Sequence, residues 1–337
     1  RILRSWPLAA QREFFEHTIS IPLRLEQGTA KLFPASDRAR DVRDGLVDHA
    51  RQRGVVFRFG TTLTSMEPVT NGWRIQTSAG DIDARAVVLA TGGLSVPSTG
   101  SDGSGLRLAT GLGHTVRPAY PALTPLTAEP AVHASLAGVS LDVRIRAKWR
   151  GKTVESTGGF LFTHVGYSGP AVLDVSHVAV RSLIDRDAAE TAVIRVSWSS
   201  IDRDGSLAHL APASARVSTV VARHLPERLT DHLLHETGVP VDRRTSELRR
   251  DERTALIDAL TAYVLPWTGH EGYRKAEVSG GGVAVDEVDA RTLESRRHAG
   301  LFFCGEMLDA FGPIGGHNFA WAWATGRAAG MGAAASG

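Results

Sequence analysis

An α/β fold interrupted by an inserted unit is predicted for this 337-residue chain, and three observations predict it. A continuous apolar run, Ala86-Val-Val-Leu-Ala90, ends in Thr91-Gly92-Gly93, as a parallel strand buried on both faces would. A second strand-like stretch, Gly300-Leu-Phe-Phe-Cys304, ends in Gly305 and leads through Gly315-Gly316 into a helix-like segment over 321–330. Between the two lie short strand signals over 128–197 and helical signals over 213–263, with no low-complexity linker and no repeat.

From the amino end, 10–16 and 39–53 have helical character; in the second, Val42, Leu46, Val47 and Ala50 recur at three- and four-residue spacings. The segment 28–37 is a polar connection between them. Residues 55–59 read as a strand after Gly54, and 63–66, 73–77 and 82–84 as a meander punctuated by Asn71-Gly72 and Ala79-Gly80. After the 86–90 strand, 106–112 reads as a helix, and Gly113-His114 opens a proline-rich crossover that reaches Leu126. Further strands are predicted at 139–146, 160–163 and 192–196, then helices at 213–225, 227–237 and 245–263. In the last helix Leu248, Ala255, Leu256, Ala259, Leu260 and Tyr263 form an apolar stripe, leaving Arg249, Arg250, Asp251, Glu252 and Arg253 as a solvated face.

Composition excludes several classes of function. With 42% hydrophobic and 22% charged residues the chain buries a sizeable core and reads as a soluble globular protein. Its net charge is only +2 and the basic residues are scattered along the sequence, which argues against nucleic acid as the main partner. Cys304 is the single cysteine, so no intrachain disulfide or multi-thiolate metal site forms, and a cytoplasmic setting follows. That cysteine reads as a small apolar residue of a buried strand. No spacing of His, Cys and carboxylates points to a metal, and no nucleophile stands beside a base. The weakly polar run 318–337 contains Arg327 and suits a packed helix better than a membrane span. No secretory pattern opens the chain, and its beginning, Arg1-Ile-Leu-Arg-Ser, reads as cut.

The two glycine-ended strands carry the chemistry. Gly315 and Gly316 let the backbone pass close to a flat or anionic ligand, and the N–H groups of the first helical turn donate to it; a flavin is held this way without spending side chains. Likewise Thr91-Gly92-Gly93 reads either as an ordinary turn after a strand or as main chain that runs against a dinucleotide at the strand's carboxyl end.

Five blocks in a fixed order resemble the BaiN/RdsA-type family of bacterial flavoproteins. They are Phe33-Pro34 with Ser36-Asp37; the Ala-Thr-Gly-Gly ending at 90–93 with its Thr-Gly-Ser and Gly113-His114 continuation; and Phe162-Thr-His-Val-Gly-Tyr-Ser-Gly-Pro170. The last two are Ala276-Glu-Val-Ser-Gly-Gly-Gly-Val283, with Glu287-Val288 and Thr292-Leu-Glu-Ser295, and the segment 300–320. Together they span nearly the whole chain. The resemblance implies an interrupted Rossmann-like FAD-binding domain formed by 1–116 and 276–337, with 117–275 inserted as a substrate or cap unit. Members of that family begin with a strand, a Gly-x-Gly-x-x-Gly turn and a helix; this sequence lacks that first βαβ unit, so it is expected to be truncated and to hold FAD less tightly than a complete chain.

The same resemblance implies hydride transfer from NADH or NADPH through FAD to an activated C=C bond of a small-molecule substrate. Two alternatives stay open: a flavin-dependent RNA-modifying enzyme, and a non-enzymatic or decayed flavin-binding protein. Cofactor contacts are assigned to Thr91, Gly92, Gly93, Gly305, Glu306, Asp309, Gly315, Gly316, His317 and Asn318. Glu306 and Asp309 read either as ligands of a ribityl hydroxyl or as caps of the turn and helix. His317 and Asn318 are assigned backbone contacts at the pyrimidine edge. His164 and Tyr167 read either as proton donors to substrate or as loop residues bonded to nearby carbonyls.

Overall fold

A computed structural model describes residues 2–27, 31–185 and 190–336, so the first three residues of the 28–37 connection lie outside the described residues. The chain divides into two compact units. One comprises Arg1–Leu94, Ser98–Ala119 and Gly280–Gly337; the other comprises Ser95–Pro97 and Tyr120–Ser279. No helix among the described residues is long and apolar enough to cross a membrane.

In the first unit the strands Val87–Leu89 and Leu301–Phe303 pair in parallel, with Val87 opposite Leu301 and Leu89 opposite Phe303. Helices and the antiparallel meander of Leu63–Val69, Gly72–Thr77 and Ile82–Ala84 share one core with them: Leu89, Phe302, Phe303, Trp73, Leu106, Met307, Ala324 and Ala328 are all buried in it. The expectation that 86–90 is buried on both faces is corrected: Val88 is exposed and only Leu89 of that strand is buried. The carboxyl-terminal helix His317–Ala335 is built of small residues on the face that meets this pair. A Cβ at Gly332 would fall 2.7 Å from the Phe302 ring and 3.0 Å from the Thr292 carbonyl, so the helix backbone itself is the packing surface.

A buried polar tie closes this unit. Glu287 accepts from the Thr115 backbone N–H (3.0 Å), from His114 Nδ1 (2.9 Å) and from the Arg297 guanidinium (2.7 and 3.1 Å). Ser295 Oγ takes the N–H groups of Arg297 and His298, leaving its own hydrogen for His114 Nε2 at 2.9 Å. Those bonds fix the neutral imidazole with its hydrogen on Nδ1, and burial, the largest influence, pushes the His114 pKa down. The sequence signals Gly113-His114 and Glu287…Ser295 are thus two halves of one network.

The second unit is a seven-stranded antiparallel sheet. Its order is Tyr263–Val264, Val193–Ser197, Ser140–Trp149, Lys152–Phe162, Gly166–Ser168, Leu126–Thr127, Gly269–His270. Helix Pro170–Ile184 packs on its central strands, and Glu227–Glu236 and Arg250–Thr261 join the same core through Leu233, Leu234, Leu256 and Ile257. Ser140–Trp149 alternates strictly, with Val143, Ile145 and Ala147 buried and Arg144, Arg146 and Lys148 exposed.

Several expectations are corrected. Residues 55–59 are not a strand but an irregular segment in which Val55, Val56 and Phe59 are exposed; no strand among the described residues lies beside them to take their backbone hydrogen bonds. The proline-rich crossover contains a strand, Val116–Ala122. The β-rich segment holds the helix Pro170–Ile184, whose many valines mask a helical pattern that Pro170 at its first turn announces. The 213–225 helix shrinks to Val217–Val221, and 245–263 splits into a 3-10 turn, Thr245–Glu247, the helix Arg250–Thr261 and a strand carrying Tyr263. Glu252 is not on a solvated face: it is buried and caps its own helix, accepting the Arg249 N–H at 3.0 Å.

The Arg297 guanidinium, more than any other group, holds the Glu287 carboxyl far below the usual carboxylate range. A depressed folded-state pKa adds stability that is present above the unfolded value of about 4.3 and drains away as pH falls from there. Glu287→Gln should therefore cost about 2 kcal/mol at neutral pH, as loss of hydrogen bonds to a charged group does, and the gap to wild type should narrow below about pH 4. Denaturant melts of both proteins across that range check it; a pH-independent gap would contradict it.

Candidate functional site

Parallel pairing sends both strand ends out at one edge of the first unit. With Leu89 opposite Phe303, the segment Thr91-Gly92-Gly93 and the segment beginning at Gly305 leave side by side. Thr91 Oγ1 lies 2.9 Å from Met307 Sδ across that gap. The helix Ser104–Gly111 starts against the same point: a Cβ at Gly105 would sit 2.0 Å from Thr91 Oγ1 and 3.0 Å from Met307 Sδ, so only glycine permits the approach. The Gly93 carbonyl accepts the Gly103 N–H at 3.2 Å, which folds the intervening loop back on the strand end. Two main-chain loops therefore leave together at the carboxyl ends of the strands, the place where sheets of this kind bind ligands.

Gly305 is locked from the helix that follows. Its N–H donates to Thr325 Oγ1 (2.8 Å), and its carbonyl accepts from Trp321 Nε1 (3.1 Å). Thr325 in turn donates to the Trp321 carbonyl at 2.6 Å. Gly305 thus orients the loop and has no N–H left for a ligand. Glu306 is half-buried in the 3-10 turn Gly305–Met307; Asp309, also half-buried, donates its N–H to the Val283 carbonyl at 2.9 Å. Cys304 is buried, as read, and desolvation pushes its thiol up to about 11.

Ahead of the carboxyl-terminal helix the chain turns through Gly315 (φ 127°) and Gly316 (φ 89°), backbone conformations that residues with a Cβ rarely adopt. Gly316 is the N-cap and no side chain caps the helix, so the N–H groups of His317, Asn318 and Phe319 have no partner inside it. Gly316 and His317 are exposed. The Asn318 side chain grips the preceding turn, accepting the Gly312 N–H (2.8 Å) and donating to the Gly312 carbonyl (3.0 Å). Its amide is a clasp, which leaves the backbone for contact with a ligand.

His164 and Tyr167 belong to the second unit. His164 is exposed in the turn joining Lys152–Phe162 to Gly166–Ser168. Tyr167 is fully buried; its hydroxyl donates to the Pro266 carbonyl at 2.8 Å, and burial pushes its pKa well above the phenolic range. That is the carbonyl-bonded alternative for Tyr167, and His164 alone keeps an accessible acid–base group. On the outer face of the same sheet Arg144, Arg146 and Lys148 stand in a row, with Arg195 opposite Arg146 in register. Alternate residues of one strand and Arg195 of its neighbour form a basic strip there, although Glu155 pairs with Arg146 at 2.6 Å.

Sequence reasoning missed Gly105, Trp321, Thr325 and the Asn318 amide. Only Gly105 carried a signal, as a glycine at the mouth of a predicted helix; the others act through a helix whose placement is tertiary. Replacing Asn318 with Ala strips both bonds from Gly312 and should lower stability by about 1–2 kcal/mol, given about 1 kcal/mol per net hydrogen bond. A thermal melt measures it, and an unchanged melting temperature would show that the clasp is dispensable.

Comparison with known proteins agrees with this architecture. The family described as HI0933-like protein Rossmann domain matches residues 3–332. A ribosomal RNA dihydrouridine synthase of Escherichia coli (strain K12) is 33% identical over 310 residues, 89% of this chain and 73% of that one. The 3-dehydro-bile acid delta(4,6)-reductase of Clostridium scindens is 32% identical over 340 residues, 99% of this chain and 82% of that one. A ribosomal RNA dihydrouridine synthase of Haemophilus influenzae is 28% identical over 306 residues, 89% of this chain and 74% of that one. These matches bear out the five-block resemblance, and the chain belongs to the HI0933-like Rossmann-domain family.

Proposed function

We propose that the chain is an FAD-dependent oxidoreductase that reduces a carbon–carbon double bond conjugated to a carbonyl, drawing electrons from NADH or NADPH. The observation that carries the reading is the pair of main-chain loops at the carboxyl ends of two parallel strands, faced by a helix start whose N–H groups are uncapped and whose N-cap is a left-handed glycine. Those residues fit a flavin. Gly316 offers no Cβ to obstruct a flat ring, and the 317–319 amides suit the electron-rich edge of a reduced isoalloxazine. Thr91, Gly92 and Gly93 supply main chain along the cofactor, and the Glu306 and Asp309 carboxylates are the groups for ribityl hydroxyls. When bound, the flavin supplies hydride chemistry that no side chain here provides.

The names of the relatives support the choice of bond. A dihydrouridine differs from uridine by reduction of a double bond conjugated to a ring carbonyl. A 3-dehydro-delta(4,6) bile acid carries its double bonds in conjugation with a ketone. Reduction of a conjugated double bond of this kind adds hydride to its carbon farther from the carbonyl and a proton to its nearer carbon. Exposed on a glycine-flanked turn, His164 is our candidate for delivering that proton.

A small-molecule enone is the substrate class proposed first. Uridine in ribosomal RNA is the second reading, favoured by the Arg144, Arg146, Lys148 and Arg195 strip, whose charges match a phosphate backbone. Nicotinamide consumption in the presence of FAD, with a 4,6-dien-3-one steroid in one arm and unmodified ribosomal RNA in the other, separates them. Turnover of the steroid alone supports the first reading, dihydrouridine in the RNA supports the second, and consumption in neither arm contradicts the function. In whichever arm reacts, His164→Asn should lower the rate by about a hundredfold or more with FAD affinity unchanged. An unaltered rate would return His164 to the role of a loop residue.

A further inference from the structure

Apart from the glycine loops, the second unit brings together four side chains that sequence spacing does not reveal. His232 and Glu236 stand one turn apart on the helix Glu227–Glu236, with 3.8 Å between Nε2 and Oε2. His133 precedes the 3-10 turn Ala134–Leu136, and its ring lies 4.7 Å from that of His232, centroid to centroid. Tyr263 opens the strand Tyr263–Val264, and its Oη is 3.1 Å from His133 Nε2 and 3.0 Å from each oxygen of Glu236.

Counting hydrogens exposes a deficit. Tyr167 gives its only hydroxyl hydrogen to the Pro266 carbonyl, so the contact of 2.8 Å between that hydroxyl and His133 Nδ1 is made by an Nδ1 hydrogen. A neutral His133 then presents a bare lone pair at Nε2. The Tyr263 hydroxyl has one hydrogen and faces two acceptors, that lone pair and the Glu236 carboxylate. When that hydrogen goes to Glu236, the Nε2 lone pair is left facing the Tyr263 oxygen at a position where His133 is 3% exposed and water does not reach it. A cation at the junction removes the conflict.

We propose that His133 Nε2, His232 and Glu236 form a binding site for a divalent transition-metal ion of zinc type, with the Tyr263 hydroxyl beside the remaining position. Three considerations support it. Candidate ligand atoms of the three residues all lie within 4.8 Å of one another. A tetrahedral ion with bonds of about 2.0–2.1 Å needs ligand atoms about 3.3 Å apart; His232 Nε2 and Glu236 Oε2 are 3.8 Å apart, and the Tyr263 hydroxyl, beside the remaining position, lies 3.1 Å from His133 Nε2 and 3.0 Å from each Glu236 oxygen. Finally, the other nitrogen of His133 is held through the Tyr167 hydroxyl to a backbone carbonyl, the outer bonding that fixes a ligating imidazole in the required tautomer. Imidazole and carboxylate together suit zinc better than calcium or magnesium. Entry is open, because the side chains of His232 and Glu236 are 23% and 47% exposed. A bound ion would tie the Glu227–Glu236 helix to the turn at His133. The sequence reading assigned no metal because His133 is remote in sequence from the helical pair; the proposal departs from it.

The test uses the full chain stripped with EDTA, then titrated with zinc against a chromogenic chelator and analysed for metal content after desalting. Wild type should retain one zinc per chain and melt at a higher temperature with zinc than without. His232→Ala and Glu236→Gln change solvent-reaching positions, so both should fold, and each should weaken zinc binding by more than the roughly 10–100-fold that loss of an outer partner costs. Cobalt added to stripped wild type should give the intense visible absorption of a tetrahedral site, a readout that needs no variant. Failure of wild type to retain zinc, retention by the variants equal to wild type, or a purely octahedral cobalt spectrum would each overturn the proposal. None of these readouts involves flavin, so they stand or fall apart from the proposed function.

Discussion

The structure of the first unit depends on how closely helix backbone can approach the parallel strand pair. At Gly105 a helix start meets Thr91 and Met307, and at Gly332 the carboxyl-terminal helix meets Phe302 and Thr292; at each point a Cβ would lie 3.0 Å or less from its neighbours. Side-chain packing cannot substitute at such distances, because an added methylene in a dense core forces backbone shifts that cost about 1–3 kcal/mol. Everything proposed for the site follows from this proximity. The helix start at Gly316 is brought to the strand ends because the helix body lies against Phe302 at Gly332, and Gly305 is held from within the helix by Trp321 and, one turn further along, Thr325.

Polar residues of the first unit act mainly as ties between segments remote in sequence. Glu287 binds Thr115, His114 and Arg297, and Asn318 closes on Gly312. Such groups set the geometry of the loops and leave the ligand to main-chain donors. A site built in this manner is compatible with the small number of acid–base side chains at the strand ends, since hydride chemistry belongs to the cofactor and the protein's part is position and charge. The second unit carries an exposed histidine on a tight turn, a basic strip, and a cluster of histidines, tyrosines and a carboxylate that is buried at His133 and open at Glu236.

Much of this was legible in sequence, for identifiable reasons. The strand Leu301–Phe303 announces itself as an apolar run because it is buried throughout, whereas in Val87–Leu89 the same apolar run leaves Val88 exposed and only Leu89 buried; the Asn71-Gly72 turn marks the meander. Helix Pro170–Ile184 stayed unassigned since burial on nearly all sides erases the polar face that periodicity needs; Val172, Val175, Val178 and Val180 are all among its buried residues. At 55–59 the composition is that of a strand, yet a strand exists only through its partner. Scattered basic residues concealed the strip because alternation along Ser140–Trp149, not adjacency in sequence, gathers them. The junction of His133, His232, Glu236 and Tyr263 was invisible for the same reason: it joins a turn, a helix and a strand end that only folding makes neighbours.

The central claim is that the left-handed glycine turn before the carboxyl-terminal helix is where a flavin is held, and FAD titration of wild type beside Gly316→Val tests it most directly. Flavin absorbance would follow binding, and circular dichroism would follow the fold. The account predicts saturable binding by wild type and at least about tenfold weaker binding by the variant, about 1.4 kcal/mol, with the folded spectrum retained. Equal FAD affinity in the two folded proteins would contradict it and move the site elsewhere.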